Sequence, residues 1–233
     1  MAGEPRGEPQ PRGHALKMDY AVARQYMVDS QVRTNKVTDE DLIQAIRLLP
    51  RERFVPEAAR ARAYLDDDVE IASGRYLMEP MVTARLIQAA APKPDDIALV
   101  VGAGTGYAAA LLARLVNTVV ALESEPALAQ RASAVLGELA IDNAVVVEGA
   151  LNAGCGKHAP YNIVYLDGAV EEVPQALAGQ LAEGGRMVGV LLDGGVGRAA
   201  LWIKSGRGLS HRVLFDANVM PLPGFAAPAR FVF

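Results

Sequence analysis

Residues 97–123 constrain the fold more than any other stretch of this chain. The apolar run Ile97-Ala-Leu-Val-Val101 breaks into Gly102-Ala-Gly104-Thr-Gly106-Tyr107, and a second apolar run stops at Glu123. That pattern predicts a buried strand, a tight turn, a helix, and a strand with a carboxylate at its end, the layout of a nucleoside-binding βαβ unit. Gly102, Gly104 and Gly106 can take positive φ and let a ligand lie against the main chain without meeting a Cβ. Glu123 is then expected to accept hydrogen bonds from ribose hydroxyls. The spacing departs from the G-x-G-x-x-G/A dinucleotide fingerprint, because Tyr107 stands three positions after Gly104 and is too large for the close helix-to-strand approach that supports a pyrophosphate.

A chain of 233 residues with 51% hydrophobic content can bury one large α/β core. The formal charge of −4 supplies no global basic field, so a nucleic-acid partner is not expected. No apolar run reaches the roughly 18 residues that span a bilayer, and the N-terminus lacks the apolar core of a secretory signal; the expectation is a cytoplasmic protein without a membrane partner. The single cysteine, Cys155, excludes an internal disulfide framework and argues against a cysteine-based zinc cage. His14, His158 and His211 are too scattered to suggest a metal site. Nothing in the sequence fixes an oligomeric state.

Residues 1–17 are rich in Pro, Gly and charge without an apolar period, and read as a disordered tail ahead of one domain over 18–233. Within that domain, 18–80 read as an N-terminal helical and substrate-cleft segment and 81–233 as the cofactor-binding core. Helices are expected over 20–33, from near Thr38 to Leu49, and from Pro80 to Ala91, with 51–78 irregular and carrying short helical turns. From there, apolar strands at 97–101, 118–122, 144–147, 162–166 and 186–192 alternate with helical segments at about 107–116, 125–140 and 171–182. This predicts a mostly parallel sheet with helices on both faces. Three further strands near 198–204, 211–216 and 229–233 lack helices between them and predict an antiparallel edge.

The G-x-G-x-G turn with a downstream acid resembles motif I of S-adenosylmethionine methyltransferases. A more particular resemblance follows from six strings taken together: Pro50-Arg-Glu-Arg-Phe-Val-Pro56, Ala63-Tyr-Leu-Asp66, the GAGTGY turn, Val120-Ala-Leu-Glu123, Ala159-Pro-Tyr-Asn162, and Leu181-Ala-Glu-Gly-Gly-Arg-Met187. They occur in the order and spacing of protein-L-isoaspartate O-methyltransferases, over nearly everything from Met18 onward. The resemblance implies a Rossmann-like class I methyltransferase fold that binds S-adenosyl-L-methionine. It also implies methyl transfer to the free carboxylate of isoaspartyl or D-aspartyl residues in damaged protein or peptide substrates. Such a carboxylate is already ionised at neutral pH, so the site need only align its oxygen and exclude water, and no metal is required. By the same resemblance Gly102, Ala103, Gly104, Thr105 and Gly106 form the cofactor loop, Glu123 and Ser124 hold the ribose, and Glu148, Gly149 and Ala150 border the adenine.

The chain departs from the family where the acceptor is positioned. The family loop reads G-x-T-I-S-x-P, and here it is Gly74-Arg-Tyr76-Leu-Met78-Glu-Pro80. Tyr76 and Met78 thus stand in the threonine and serine positions, lining the methyl-transfer cleft with Glu79. A thioether cannot donate a hydrogen bond to a carboxylate, and losing one such donor in a dry site costs about a hundredfold to a thousandfold in rate. The alternative reading makes Met78 a core residue at a helix entrance. The acid that many methyltransferases carry just before motif I is Val101, the aspartate of the family's G-D-G turn falls on Ala150, and that of its A-P-[FY]-D motif is Asn162. Asp167, at the end of the same strand as Asn162, is expected to be either a polar cofactor contact or a helix cap. Two alternatives stay open: methylation of another acceptor, and cofactor binding without catalysis.

Overall fold

The structure is a computed structural model that describes residues 18–206 and 208–226. The expected tail over 1–17 and the expected strand at 229–233 lie outside those residues.

The chain enters as helix α1 (Tyr20–Met27), capped by Asp19, whose carboxylate accepts from the amides of Ala21 and Val22. The helical path continues as a wider π turn through Val28–Val32 and a tighter one through Arg33–Asn35, and stops at Lys36, whose φ of 65° is left-handed. Helix α2 (Glu40–Leu48) is capped by Asp39 rather than Thr38 and buries Leu42, Ile43, Ala45 and Ile46. Turns at Arg51–Phe54 and Glu57–Arg62 follow, as expected for an irregular segment.

The reading of 51–78 as irregular throughout is corrected at its end. Strands β1 (Val69–Ala72) and β2 (Arg75–Leu77) form an antiparallel hairpin in which Ala72 faces Arg75 across Ser73-Gly74, with Gly74 at φ +70°. Four and three residues are too short to establish a two-residue period, which is why the alternation was not legible. Helix α3 (Pro80–Ala90) then begins on proline, where a missing amide hydrogen costs nothing.

The core is a seven-stranded sheet in the order β5-β4-β3-β6-β7-β8-β9. Its parallel part is β3 (Ile97–Val101), β4 (Thr118–Glu123), β5 (Ala144–Glu148), β6 (Tyr161–Val170) and β7 (Leu181–Asp193). Strands β8 (Val196–Ser205) and β9 (Gly208–Asp216) complete an antiparallel meander on β7, the expected edge. Between the parallel strands run α4 (Tyr107–Ala113), α5 (Pro126–Glu138) and α6 (Gln175–Gln180). The last is half the expected length, because β6 runs on to Val170 and Pro174 sets the helix start.

Residues of β3 are almost wholly buried, as both faces are covered. One core cluster joins Met27, Leu42 and Phe54 of the N-terminal segment to Val100, Tyr165 and Val188 of the sheet. The strand order reverses between β3 and β6. Ligands of open α/β sheets bind beyond the carboxyl ends of strands at such a switch point, so the fold directs attention to Gly102 and Asp167.

Candidate functional site

All three glycines of the turn after β3 are left-handed, Gly102 at φ +78°, Gly104 at +56° and Gly106 at +95°, so the turn requires the residue type the sequence supplies. The amides of Gly102 and Ala103 donate to the Leu122 carbonyl at 2.9 and 3.0 Å, fixing the turn to the end of β4. Glu123 ends that strand fully buried, with its carboxylate turned back under the turn. It accepts from the amides of Gly104 at 2.7 Å, Ser124 at 2.8 Å and Glu125 at 3.0 Å. The frame of a nucleoside site is therefore present: backbone free of Cβ atoms, and an acid held beside it.

The space above that frame is filled by the protein itself. Arg75, from β2 and 4% exposed, places Nη1 at 2.6 Å and Nη2 at 2.8 Å from the two oxygens of Glu123, and Nη2 also donates to the Gly102 carbonyl at 3.1 Å. A Cβ built on Gly104 would lie 2.7 Å from Ile71 Cδ1, and one on Gly102 would lie 2.6 Å from Leu222 Cδ2. Leu222 is held there because Ala169 and the 220–222 segment exchange backbone hydrogen bonds: Ala169 N to Met220 O at 2.9 Å, Leu222 N to Ala169 O at 2.8 Å. What remains between hairpin, β6 and this segment is a cavity of about 10 Å³, bordered by Tyr76, Met78 and Asp167 among others. That is room for about one water, against the several hundred Å³ a nucleoside-sized ligand needs. The glycine turn and Glu123 thus make a frame that fits S-adenosylmethionine, with Arg75, Ile71 and Leu222 packed over it.

Charge in the site follows from burial and pairing. Burial alone would raise Glu123, but the hydrogen bonds and charge of Arg75, with the amides of Glu125 and Gly104, hold its carboxyl below the usual range. Asp167 is 8% exposed, and burial pushes it up to about 7 despite Arg75 and Arg51 nearby. Glu79 and Asp68 are both raised, chiefly by burial; the neighbouring acids Asp66, Asp68 and Asp67 add to the effect at Glu79, and Asp67 adds to it at Asp68. Asp68 accepts from the Glu79 amide at 2.7 Å, fixing the hairpin to the start of α3.

The expected site residues fall into three groups. Gly102, Ala103, Gly104, Thr105, Gly106, Glu123 and Ser124 come together around the turn, although the Thr105 hydroxyl is committed to the Phe54 carbonyl at 2.5 Å and Ser124 lies exposed at the rim. Tyr76, Met78 and Asp167 meet at the small cavity, without Glu79. Glu148 does not join either group: its side chain lines a groove with Pro126, Gln130 and Ser133 of α5, while Gly149 contributes an amide to the Glu123 carbonyl at 3.0 Å and Ala150 is exposed. Met78 is 2% exposed in the main core cluster, and its carbonyl accepts from buried Arg51 at 2.6 Å. Asn162 is structural, since its Oδ1 accepts from the Ile97 amide that opens β3. Val101 is also core. The residues that sequence reasoning missed are Arg75, Ile71 and Leu222; only the arginine carried a signal, as a lone cation inside an apolar hairpin.

A doubly wound sheet whose switch point carries a left-handed glycine turn over a strand-end glutamate defines a Rossmann-like methyltransferase fold. Residues 23–198 match the model of the protein-L-isoaspartate(D-aspartate) O-methyltransferase family, and the chain belongs to that family. A protein-L-isoaspartate O-methyltransferase of Koribacter versatilis is 36% identical over 88% of this chain and 92% of its own. One from Herpetosiphon aurantiacus is 34% identical over 86% and 90%. Among solved structures, a protein-L-isoaspartate O-methyltransferase superposes with TM-score 0.75 at 24% identity, covering 86% of this chain and 66% of the other. A Plasmodium falciparum protein described as a putative member, in complex with S-adenosyl-L-homocysteine, gives 0.71 at 18% identity over 88% and 98%. Among the described residues no helix is long and apolar enough to cross a membrane, and no group of His, Cys, Asp and Glu could hold a metal.

Proposed function

We propose that this chain is an S-adenosylmethionine-dependent O-methyltransferase that esterifies the carboxylate of isoaspartyl residues in damaged proteins, working in the cytoplasm. The observation that carries the reading is the Gly102–Gly106 turn held over Glu123 at the switch point, in a chain 36% identical to a relative of that name across nearly its whole length. S-adenosylmethionine supplies, when bound, a methyl group on a cationic sulfur. Gly102 and Gly104 offer it backbone free of Cβ atoms once Leu222 and Ile71 move aside, Glu123 offers a carboxylate held in its ionised form for the ribose hydroxyls, and the Ser124 amide borders that carboxylate. The acceptor comes from the side of Tyr76, Met78 and Asp167. Its oxygen is ionised at neutral pH and needs no base, so these residues act by shape and by keeping water out.

The experiment is transfer of labelled methyl from S-adenosylmethionine to an isoaspartyl peptide, with the aspartyl isomer as control and mild alkali to release label from an ester. Alkali-labile label on the isoaspartyl peptide alone is the expected result. Label on proteins of an extract but on neither peptide would reassign the acceptor, and tight binding of NAD without binding of S-adenosylhomocysteine would overturn the reading altogether.

A further inference from the structure

We infer that Arg75 is a built-in competitor for the cofactor: together with Ile71 and Leu222 it forms a latch that occupies the cofactor's place and must withdraw before the cofactor enters. The inference rests on the proposed function above and adds to it the control of cofactor admission.

Three independent contacts converge on the same space. The Arg75 guanidinium takes both oxygens of Glu123 and the Gly102 carbonyl. Ile71, two residues before the hairpin turn, sits where Gly104 leaves room, and Leu222 sits where Gly102 and Gly168 do; a Cβ on Gly168 would come within 2.8 Å of Leu222 Cγ.

The hairpin part of the cover is a separate two-stranded unit. Among the described residues the hairpin pairs only with itself and forms no strand pair with the seven-stranded sheet. Its tip, Ser73-Gly74, is exposed, and a Cβ on Gly74 would meet nothing within 4 Å. Arg75 is therefore the main polar tie between hairpin and sheet at this point, and it is made to the group the ribose requires. A ligand that binds only the open form has its apparent Kd raised by the inverse of the open fraction. Cofactor affinity in the native protein is correspondingly set by the latch as well as by the site.

The test is calorimetric titration of the full chain with S-adenosylhomocysteine, comparing the native protein with Arg75→Met and Ile71→Ala, together with hydrogen exchange of the 69–77 amides. Arg75→Met leaves Glu123 without its cation and risks the fold; Ile71→Ala removes only the half-buried hairpin contact over Gly104 and keeps the ion pair. The expected result is tighter binding by both variants, roughly tenfold or more, with faster exchange over 69–77 when ligand binds the native chain. Equal affinity in all three proteins, or slower exchange of the hairpin on binding, overturns the latch alone. Absence of binding in all three, with folded circular dichroism spectra, overturns the proposed function and the latch with it.

Discussion

At the scale of single residues, the site contains two carboxylates of opposite character, and pH separates them. Asp167 has its pKa raised to about 7 by burial, so the folded state holds its proton where the unfolded chain has lost it. Its contribution therefore costs nothing below about pH 4, grows more unfavourable as pH rises toward 7, and is constant above. Asp167→Asn is expected to raise unfolding stability at pH 8 by about 2 to 4 kcal/mol and to leave it unchanged near pH 4, as read from urea midpoints at the two pH values. An equal effect at both would show that Asp167 is ionised and paired. Glu123 runs the other way, its stabilisation present at neutral pH and lost on acidification. Gly104 carries a backbone argument. Its φ of +56° and the contact with Ile71 make Gly104→Val a destabilising change, by roughly 1 to 3 kcal/mol from backbone strain alone, so loss of cofactor binding in that variant comes with a lowered urea midpoint rather than an intact fold. Met78 stands at 2% exposure in the core while also bordering the cavity. Met78→Ser with Tyr76→Thr is thus expected to raise the turnover number on an isoaspartyl peptide and, in the same protein, to lower stability by about 2 to 5 kcal/mol, the cost of emptying a packed methionine site. A stable double variant with unchanged turnover would remove both residues from acceptor positioning.

At the scale of elements, what the sequence made legible was what repeats. Strands β3, β4 and β5 are apolar between their ends, and the helices between them start after a glycine or at a proline, so type could be read and most ends placed within two or three residues. The turn's left-handed glycines were legible for the same reason, since few other residues tolerate that backbone. The hairpin was not, because its apolar positions, Val69, Ile71 and Leu77, are too few to declare a period, and because what makes it important is a contact 48 residues away. Leu222 was more hidden still: nothing local distinguishes it, and only the exchange of hydrogen bonds with Ala169 brings it to the turn. The fold was written in local pattern, whereas the filling of the cleft is a product of tertiary proximity between three segments. Glu148 illustrates the converse, a residue well placed by sequence count whose side chain the strand's alternation sends toward α5.

At the scale of the whole molecule, the C-terminal segment is tied to the meander by one tight crossing. A Cβ on Gly197 of β8 would lie 2.0 Å from the Ala217 carbonyl oxygen, whose own amide donates to the Gly197 carbonyl at 3.0 Å. Gly197→Ala is expected to force the two backbones apart and cost about 1 to 3 kcal/mol, measured as a fall in Tm, while the exchange of the Leu222 amide accelerates more than that of β3. Uniform acceleration would mean that the segment does not detach separately. The Arg51 guanidinium has a different reach. Fully buried, it donates to the Ala63 carbonyl at 2.7 Å and to the Met78 carbonyl at 2.6 Å, and lies over the Tyr107 ring at 4.7 Å. The arginine of the PRERFVP string is thus a buttress: it ties a loop, the hairpin's exit and the first helical residue after the glycine turn into one piece. That string, the most particular family signature in the chain, is consequently a record of ancestry and architecture; a descendant could keep every letter of it through a complete change of substrate, and its presence in a genome counts scaffolds rather than reactions.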